Sequence, residues 1–112
     1  MTFQEINTMI SSIGLNYAYY QWPIDEAPDL PYILFYYPER KDFLADGMNY
    51  QHITALNIEL YTKNKDFDKE ALVESVLETN GIIYGKEEQY IAEEKMYEVL
   101  YTMEVCINGS ES

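Results

Sequence analysis

The sequence predicts an α+β domain, with an antiparallel sheet of about four strands and two helices packed on one face, in the order α-β-β-β-α-β(β). Two segments, near residues 3–13 and 67–79, carry apolar residues at helical spacing. Residues 96–107 instead alternate between apolar and mostly polar positions, as a strand with one buried face does. We expect residues 1–107 to form a single domain and residues 108–112 a flexible C-terminal tail.

The first helix is predicted over residues 3–13. Thr2 and Glu5 have the spacing of a capping box, in which each side chain binds the other residue's backbone N–H. Gly14 is a natural stop because glycine readily adopts the left-handed conformation that ends many helices.

Two aromatic segments, Asn16 to Trp22 and Tyr32 to Tyr37, predict the first two strands, joined by a proline-rich connection. The second strand does not alternate, because its side chains are apolar or aromatic on both faces. The helices cover one of those faces. The other face needs a second source of cover, and self-association is the simplest source.

Residues 38–48 are polar and contain Asp46-Gly47, a turn signal, so we expect a long loop there, and such loops are often functional. A third strand is predicted from about Tyr50 to Thr62, with its even-numbered positions on the buried face.

The second helix is predicted over about 67–79, capped by Asp66 or Asp68 and ended by Asn80-Gly81. Its predicted apolar stripe consists of Leu72, Val73, Val76 and Leu77. After it, Ile82–Tyr84 and Tyr90–Ala92 are expected to be short strand pieces around an acidic turn at 85–88. The last strand is predicted from Met96 to Ile107.

The formal net charge of −13 is the strongest compositional feature. Residues 70–112 hold ten acidic and two basic residues, whereas residues 1–39 hold five acidic residues and no lysine or arginine. Such a surface repels nucleic-acid phosphates, so the charge argues against ordinary DNA binding. The charge fits solubility, a DNA mimic, a partner with a basic surface, or a passage to which DNA must not adhere.

No catalytic, cofactor-binding or metal-binding signature emerges from the sequence. His52 is the only histidine and lies on the predicted buried face, which favours a core or interface role. Cys106 has acidic neighbours, which raise a thiol pKa and favour an unreactive thiol. Asp66-x-Asp68-x-Glu70 lacks the glycine of a calcium loop and is explained by helix capping. With one cysteine and no apolar run long enough for a membrane span, the chain is expected to be soluble and cytoplasmic.

Two groups of residues are candidates for intermolecular contact. Aromatic, apolar and clustered basic residues are expected at a subunit or tube interface: Tyr32, Phe35, Tyr37, Arg40, Lys41, Phe43, Met48, Lys63 and Lys65. Acidic residues are expected along a lumen: Glu87, Glu88, Glu93 and Glu94.

Four segments carry a resemblance to a known family: A-P-D-L-P-Y-I-L-F-Y-Y, D-F-L-A-D-G-M-N-Y, I-E-L-Y-T-K-N-K-D and E-K-M-Y-E-V-L-Y-T-M-E-V. The chain resembles the small proteins encoded in the tail-morphogenesis region of siphophages and prophages of Gram-positive bacteria, over roughly residues 2–106. The predicted order of elements is also similar to that of the lambda-like tail terminator fold.

The resemblance implies a structural protein without enzymatic activity or cofactor. Six copies would form a homohexameric ring on the tail tube, end tube polymerisation and offer a surface to the head-completion or connector protein. DNA would pass through the lumen without specific binding. The protein would act in the host cytoplasm during assembly and remain in the virion. Another head–tail connector protein and an acidic DNA-mimic inhibitor are the alternatives.

Overall fold

The computed structural model describes residues 1–45 and 49–107, with side chains for residues 1–40 and 52–107. Within these ranges, two helices and six strands follow one another. In order they are α1 (Phe3–Ser11), β1 (Asn16–Tyr19), β2 (Tyr32–Tyr36), β3 (Arg40–Ala45), β4 (Asn49–Thr62), α2 (Phe67–Thr79), β5 (Tyr84–Ile91) and β6 (Met96–Ile107). The predicted α+β class and the two helices are confirmed.

The capping box predicted for α1 is present. The Thr2 hydroxyl accepts a hydrogen bond from Glu5 N at 3.0 Å, and Thr2 N donates to the Glu5 carboxylate at 2.8 Å. The chain turns away after the helix at Gly14, whose φ of 91° is the left-handed conformation expected there. The helix ends at Ser11, two residues before the predicted boundary.

One long strand organises the sheet. β4 pairs with β6 along one edge and with β2 and β3, end to end, along the other. β5 pairs with the outer side of β6, and β1 pairs with the outer side of β2, so the order is β1-β2-β4-β6-β5 with β3 beside β4. Among the described strands, every pairing is antiparallel except that of β1 with β2, which is parallel. The sheet therefore has more strands than the four or so that were predicted. One of its pairings is parallel, whereas a purely antiparallel sheet was predicted.

The core lies on a single face of this sheet. Both helices place apolar side chains there, against alternate residues of β2, β4 and β6. The buried residues of this core are Ile6, Met9, Ile10, Ile13, Ile33, Phe35, Leu56, Ile58, Leu60, Val73, Leu77, Val99, Tyr101, Met103, Val105 and Ile107. We call this side the core face and the opposite side the open face.

Two loop predictions are wrong. Residues 40–45 of the predicted loop 38–48 form a strand, β3, because they pair with the N-terminal part of β4; the Asp46-Gly47 turn lies outside the described residues. The predicted acidic turn at 85–88 lies inside the continuous strand β5, because β6 offers it a full-length partner. Charged residues in both segments concealed the strands, since an exposed edge strand has little need of apolar side chains.

The second helix has the predicted bounds but a narrower apolar stripe. The Asp66 side chain caps it by accepting from Lys69 N at 3.0 Å, and Asn80 forms the C-terminal cap. Val73 and Leu77 are buried, whereas Leu72 is exposed because adjacent helix positions point about 100° apart. No helix within the described ranges has the length and apolar character needed to cross a membrane.

The burial of the core predicts that replacing either of two isoleucines by alanine will change the free energy of unfolding by very different amounts. Ile58 has no exposed surface and Ile83 is 92% exposed. Ile58→Ala should lower the free energy of unfolding by about 2–5 kcal/mol, because it removes buried methyl groups and leaves a cavity. Ile83→Ala, the matched control, should change it by no more than about 0.5 kcal/mol. Urea denaturation measures both values, and equal losses would contradict this description of the core.

Candidate docking surfaces and a carboxylate cluster

Three strands leave one side of their backbone without a strand partner among the described residues. β1 and β5 end the sheet, and β3 has β4 on one side only. An edge strand presents a row of N–H and C=O groups that another strand can bind. These edges are therefore the first candidate docking surfaces.

The β5 edge is strongly charged. Lys86, Glu87 and Glu88 are consecutive and exposed. Because neighbouring strand residues point to opposite faces, Glu87 lies on the open face with Leu100, and Glu88 lies on the core face with Val99. The two glutamates therefore do not form one acidic surface.

An ion-pair network joins β5 to α2. Lys65 Nζ lies 2.7 Å from carboxylate oxygens of both Glu70 and Glu88. Lys86 Nζ lies 2.8 Å from Glu70 and 2.7 Å from Glu74. Through Lys86 the network connects the outer strand to two glutamates of the helix.

Glu70 is the centre of this network and its side chain is almost fully buried. Burial opposes ionisation, but the hydrogen bonds and charges of Lys65 and Lys86 outweigh it and hold the pKa of Glu70 below its ordinary value. The Tyr101 hydroxyl donates to Glu74 at 2.8 Å, and its burial, with this hydrogen bond to a carboxylate, raises the Tyr101 pKa.

The open face near β2 is covered by the chain's own connection. A parallel pair needs a crossover of about a dozen residues, and residues 20–31 supply it between β1 and β2. The Trp22 and Tyr32 ring centroids are 5.5 Å apart, as are those of Tyr20 and Tyr36. The second face of β2 is therefore covered in part by the chain itself, whereas self-association was expected as the simplest source of cover.

Farther along the open face, a polar cluster surrounds a buried carboxylate. Glu98 accepts a hydrogen bond from Gln89 Nε2 at 2.6 Å on one oxygen and from the Tyr61 hydroxyl at 3.3 Å on the other. The half-buried Glu59 carboxyl interacts with Glu98. We call these four residues the carboxylate cluster.

The carboxylate cluster holds a proton at neutral pH. Burial of Glu59, its hydrogen bond to Glu98 and the negative charge of Glu98 together raise the Glu59 pKa to about 8, although a hydrogen bond from Tyr61 acts in the opposite direction. Sequence reasoning missed this cluster because it depends on which strands are neighbours. Only the β4–β6 register, with Tyr61 opposite Glu98, brings the two glutamates together.

The predicted interface residues are dispersed. Tyr32 is half-buried on the open face, and Tyr37 is half-buried with its ring 4.9 Å from that of Phe3. Phe35 is only 5% exposed and belongs to the core, which corrects its assignment to an interface. Arg40 is exposed, with Nη2 2.6 Å from His52 Nδ1.

The remaining interface candidates divide into two groups. Lys63 is exposed, whereas Lys65 is engaged by the ion-pair network. Lys41 and Phe43 lie in the part of β3 for which only the backbone is described, and Met48 lies outside the described residues.

The four predicted lumen residues occupy three positions. Glu87 and Glu88 are on opposite faces of β5, and Glu88 binds Lys65. Glu93 and Glu94 are exposed in the turn between β5 and β6. The structure therefore brings together only the pair in the turn.

The single histidine and cysteine lie near one end of the sheet. His52 is half-buried in β4, and Cys106 is an exposed thiol on the open face of β6. Asp66 caps α2, as the helix-capping interpretation predicted. Within the described part of the chain, no group of three or more potential ligands is arranged to hold a metal ion.

Comparison with protein-family models finds no match for this chain, and no curated protein is significantly similar to it in sequence.

The carboxylate cluster predicts a particular dependence of stability on pH. The Glu59 pKa is higher in the folded chain than in the unfolded chain, so the folded state retains its proton between about pH 4.5 and pH 8. The free energy of unfolding should fall as pH rises through this window, because the folded state binds more protons there. Glu59→Gln should remove this component, so its stability relative to wild type should be greater at pH 8 than at pH 5.

Urea denaturation across this pH range measures the effect, and the carboxyl ¹³C resonance of Glu59 reports its ionisation directly. Glu93→Gln makes the same chemical change in the exposed turn and is the control. Parallel pH profiles for wild type and Glu59→Gln would overturn the assignment of the proton to Glu59.

Proposed function

We propose that this protein is a non-enzymatic phage structural protein that caps the tail tube as a ring. In this role it ends tube polymerisation and provides the surface to which the head-completion or connector protein binds. Its partners are other copies of itself, the tail tube protein and the connector. It acts in the host cytoplasm during assembly and stays at the head-proximal end of the tail in the virion.

The observation that carries the proposal is the set of open sheet edges. β1, β3 and β5 each have an outer side without a strand partner in the described part of the chain. A small protein that worked alone would expose three potential sites of aggregation. A ring subunit uses such edges for contacts with its neighbours.

Exposed apolar side chains support a docking role. Ile83 is 92% exposed, Ile24 is 89% exposed and Phe67 is 72% exposed. Single exposed apolar residues are common on protein surfaces, so none of them defines a site alone. Ile83, however, directly precedes β5, so this edge combines open backbone groups with a large apolar side chain.

A net charge of −13 suits a surface past which DNA moves without adhering better than it suits a surface that binds DNA. A DNA mimic would carry its acids along one elongated face. The opposite placement of Glu87 and Glu88 and the pairing of Glu88 with Lys65 count against that alternative.

Another head–tail connector protein would use the same edges, and tail length in the absence of the gene separates it from a terminator.

Deletion of the gene is expected to produce tails of uncontrolled, excessive length, because nothing ends tube polymerisation. Negative-stain electron microscopy of the particles measures tail length, and a plasmid copy of the wild-type gene is the control that should restore it. Tails of normal length without attached heads would instead indicate a connector. Infectious particles with normal tails would refute both roles.

A further inference from the structure

We propose that copies of this chain join by pairing the outer edge of β3 in one copy with the outer edge of β5 in the next. The pairing is antiparallel and places Arg40 opposite Glu88, Lys41 opposite Glu87 and Asp42 opposite Lys86 of the neighbouring copy. This pairing is the contact through which the proposed ring would form. The contact itself is argued from the two strands, and only its biological purpose rests on the proposed function.

The two edges lie on opposite sides of β4. β3 pairs with one edge of β4, whereas β5 is separated from the other edge by β6. One copy therefore offers both edges at the same time, facing away from each other. A contact between two different surfaces is heterologous, and repetition of it produces a closed ring or an open filament.

The β3 backbone is oriented for such a contact. Ala55 N donates to the Glu39 carbonyl at 2.8 Å, so position 39 directs its carbonyl group toward β4. Backbone groups alternate in direction along an antiparallel strand. Arg40 and Asp42 therefore direct their N–H and C=O groups away from β4, where an added strand would bind them.

Charge specifies the register. In the proposed register all three central pairs join opposite charges, and opposite charges across strands stabilise pairing. A shift of two residues one way places Arg40 opposite Lys86, and a shift the other way places Asp42 opposite Glu88. Both alternatives oppose like charges, so electrostatics disfavours them.

The orientation of the sheet agrees with this register. Arg40 is opposite Thr54 within its own subunit, and Glu88 is opposite Val99, and both of those partners are buried on the core face. Pairing Arg40 with Glu88 therefore continues the core face of one copy into that of the next. A shift of one residue would join the core face to the open face.

The ion-pair network remains intact in this arrangement. Lys86 and Glu88 keep partial exposure while they bind α2 and Lys65, so they have room for a second contact. Glu87 is exposed and makes no ion pair within the described ranges, so its pairing with Lys41 is the new interaction that a substitution can test. Backbone hydrogen bonds would supply most of the affinity, and the charges would set the register.

Charge reversal separates this contact from others. Lys41→Glu and Glu87→Lys should each weaken self-association by about tenfold or more, because each opposes like charges at the contact. An equimolar mixture of the two variants should assemble again, since every contact between unlike copies then joins a lysine to a glutamate at these two positions. Size-exclusion chromatography with light scattering measures the assembly. Lys95→Glu and Glu93→Lys, with the same changes in net charge, are the controls.

Crosslinking provides a second measurement that does not require a stable assembly. Lys41→Cys with Glu87→Cys, in a Cys106→Ser background, should form a ladder of disulfide-linked oligomers on oxidation at high concentration. Lys41→Cys with Glu93→Cys should not. Absence of the ladder, or of rescue in the mixture, would overturn the β3–β5 contact. If the wild type assembles but ignores these substitutions, the ring function stands and only this contact is wrong.

Discussion

The pairing of β4 with three other strands is the interaction on which the structure depends. Its 14 residues carry β6 along one edge and β2 and β3 in succession along the other. A chain of this length can build about one apolar core. That core forms on the face of the sheet that both helices cover, so the open face and the outer strands must be stabilised by other means.

Two local devices stabilise those regions. The crossover between β1 and β2 lays Tyr20 and Trp22 against the open face of β2. At the far side of the sheet, pairs between Lys86 and two glutamates of the helix join β5 to α2. Neither device satisfies the outward backbone groups of the edge strands. Those groups, with the charges beside them, are the surface through which we propose that the protein acts.

Local signals made much of the fold predictable. Short stretches of sequence were enough to predict the capping box of α1, the bounds of α2 and the alternation of β6. Each of these predictions was confirmed. The strand β3 and the continuous strand β5 were missed because many of their residues are charged. An edge strand forms because it pairs with the next strand, and a local sequence pattern does not show that pairing. The carboxylate cluster was missed for a related reason, since Glu59 and Glu98 meet only through the β4–β6 register. The parallel pairing of β1 with β2 likewise depends on a crossover whose path no local pattern indicates.

Hydrogen–deuterium exchange tests the central claim most directly, because it reports which backbone amides gain partners when copies assemble. We predict that outward-facing amides of β3 and β5 exchange rapidly in the dilute subunit and become protected in the assembled form. Amides of β4 should be protected in both states. An assembly that forms without any added protection of β3 and β5 would contradict the claim that the open edges join the subunits.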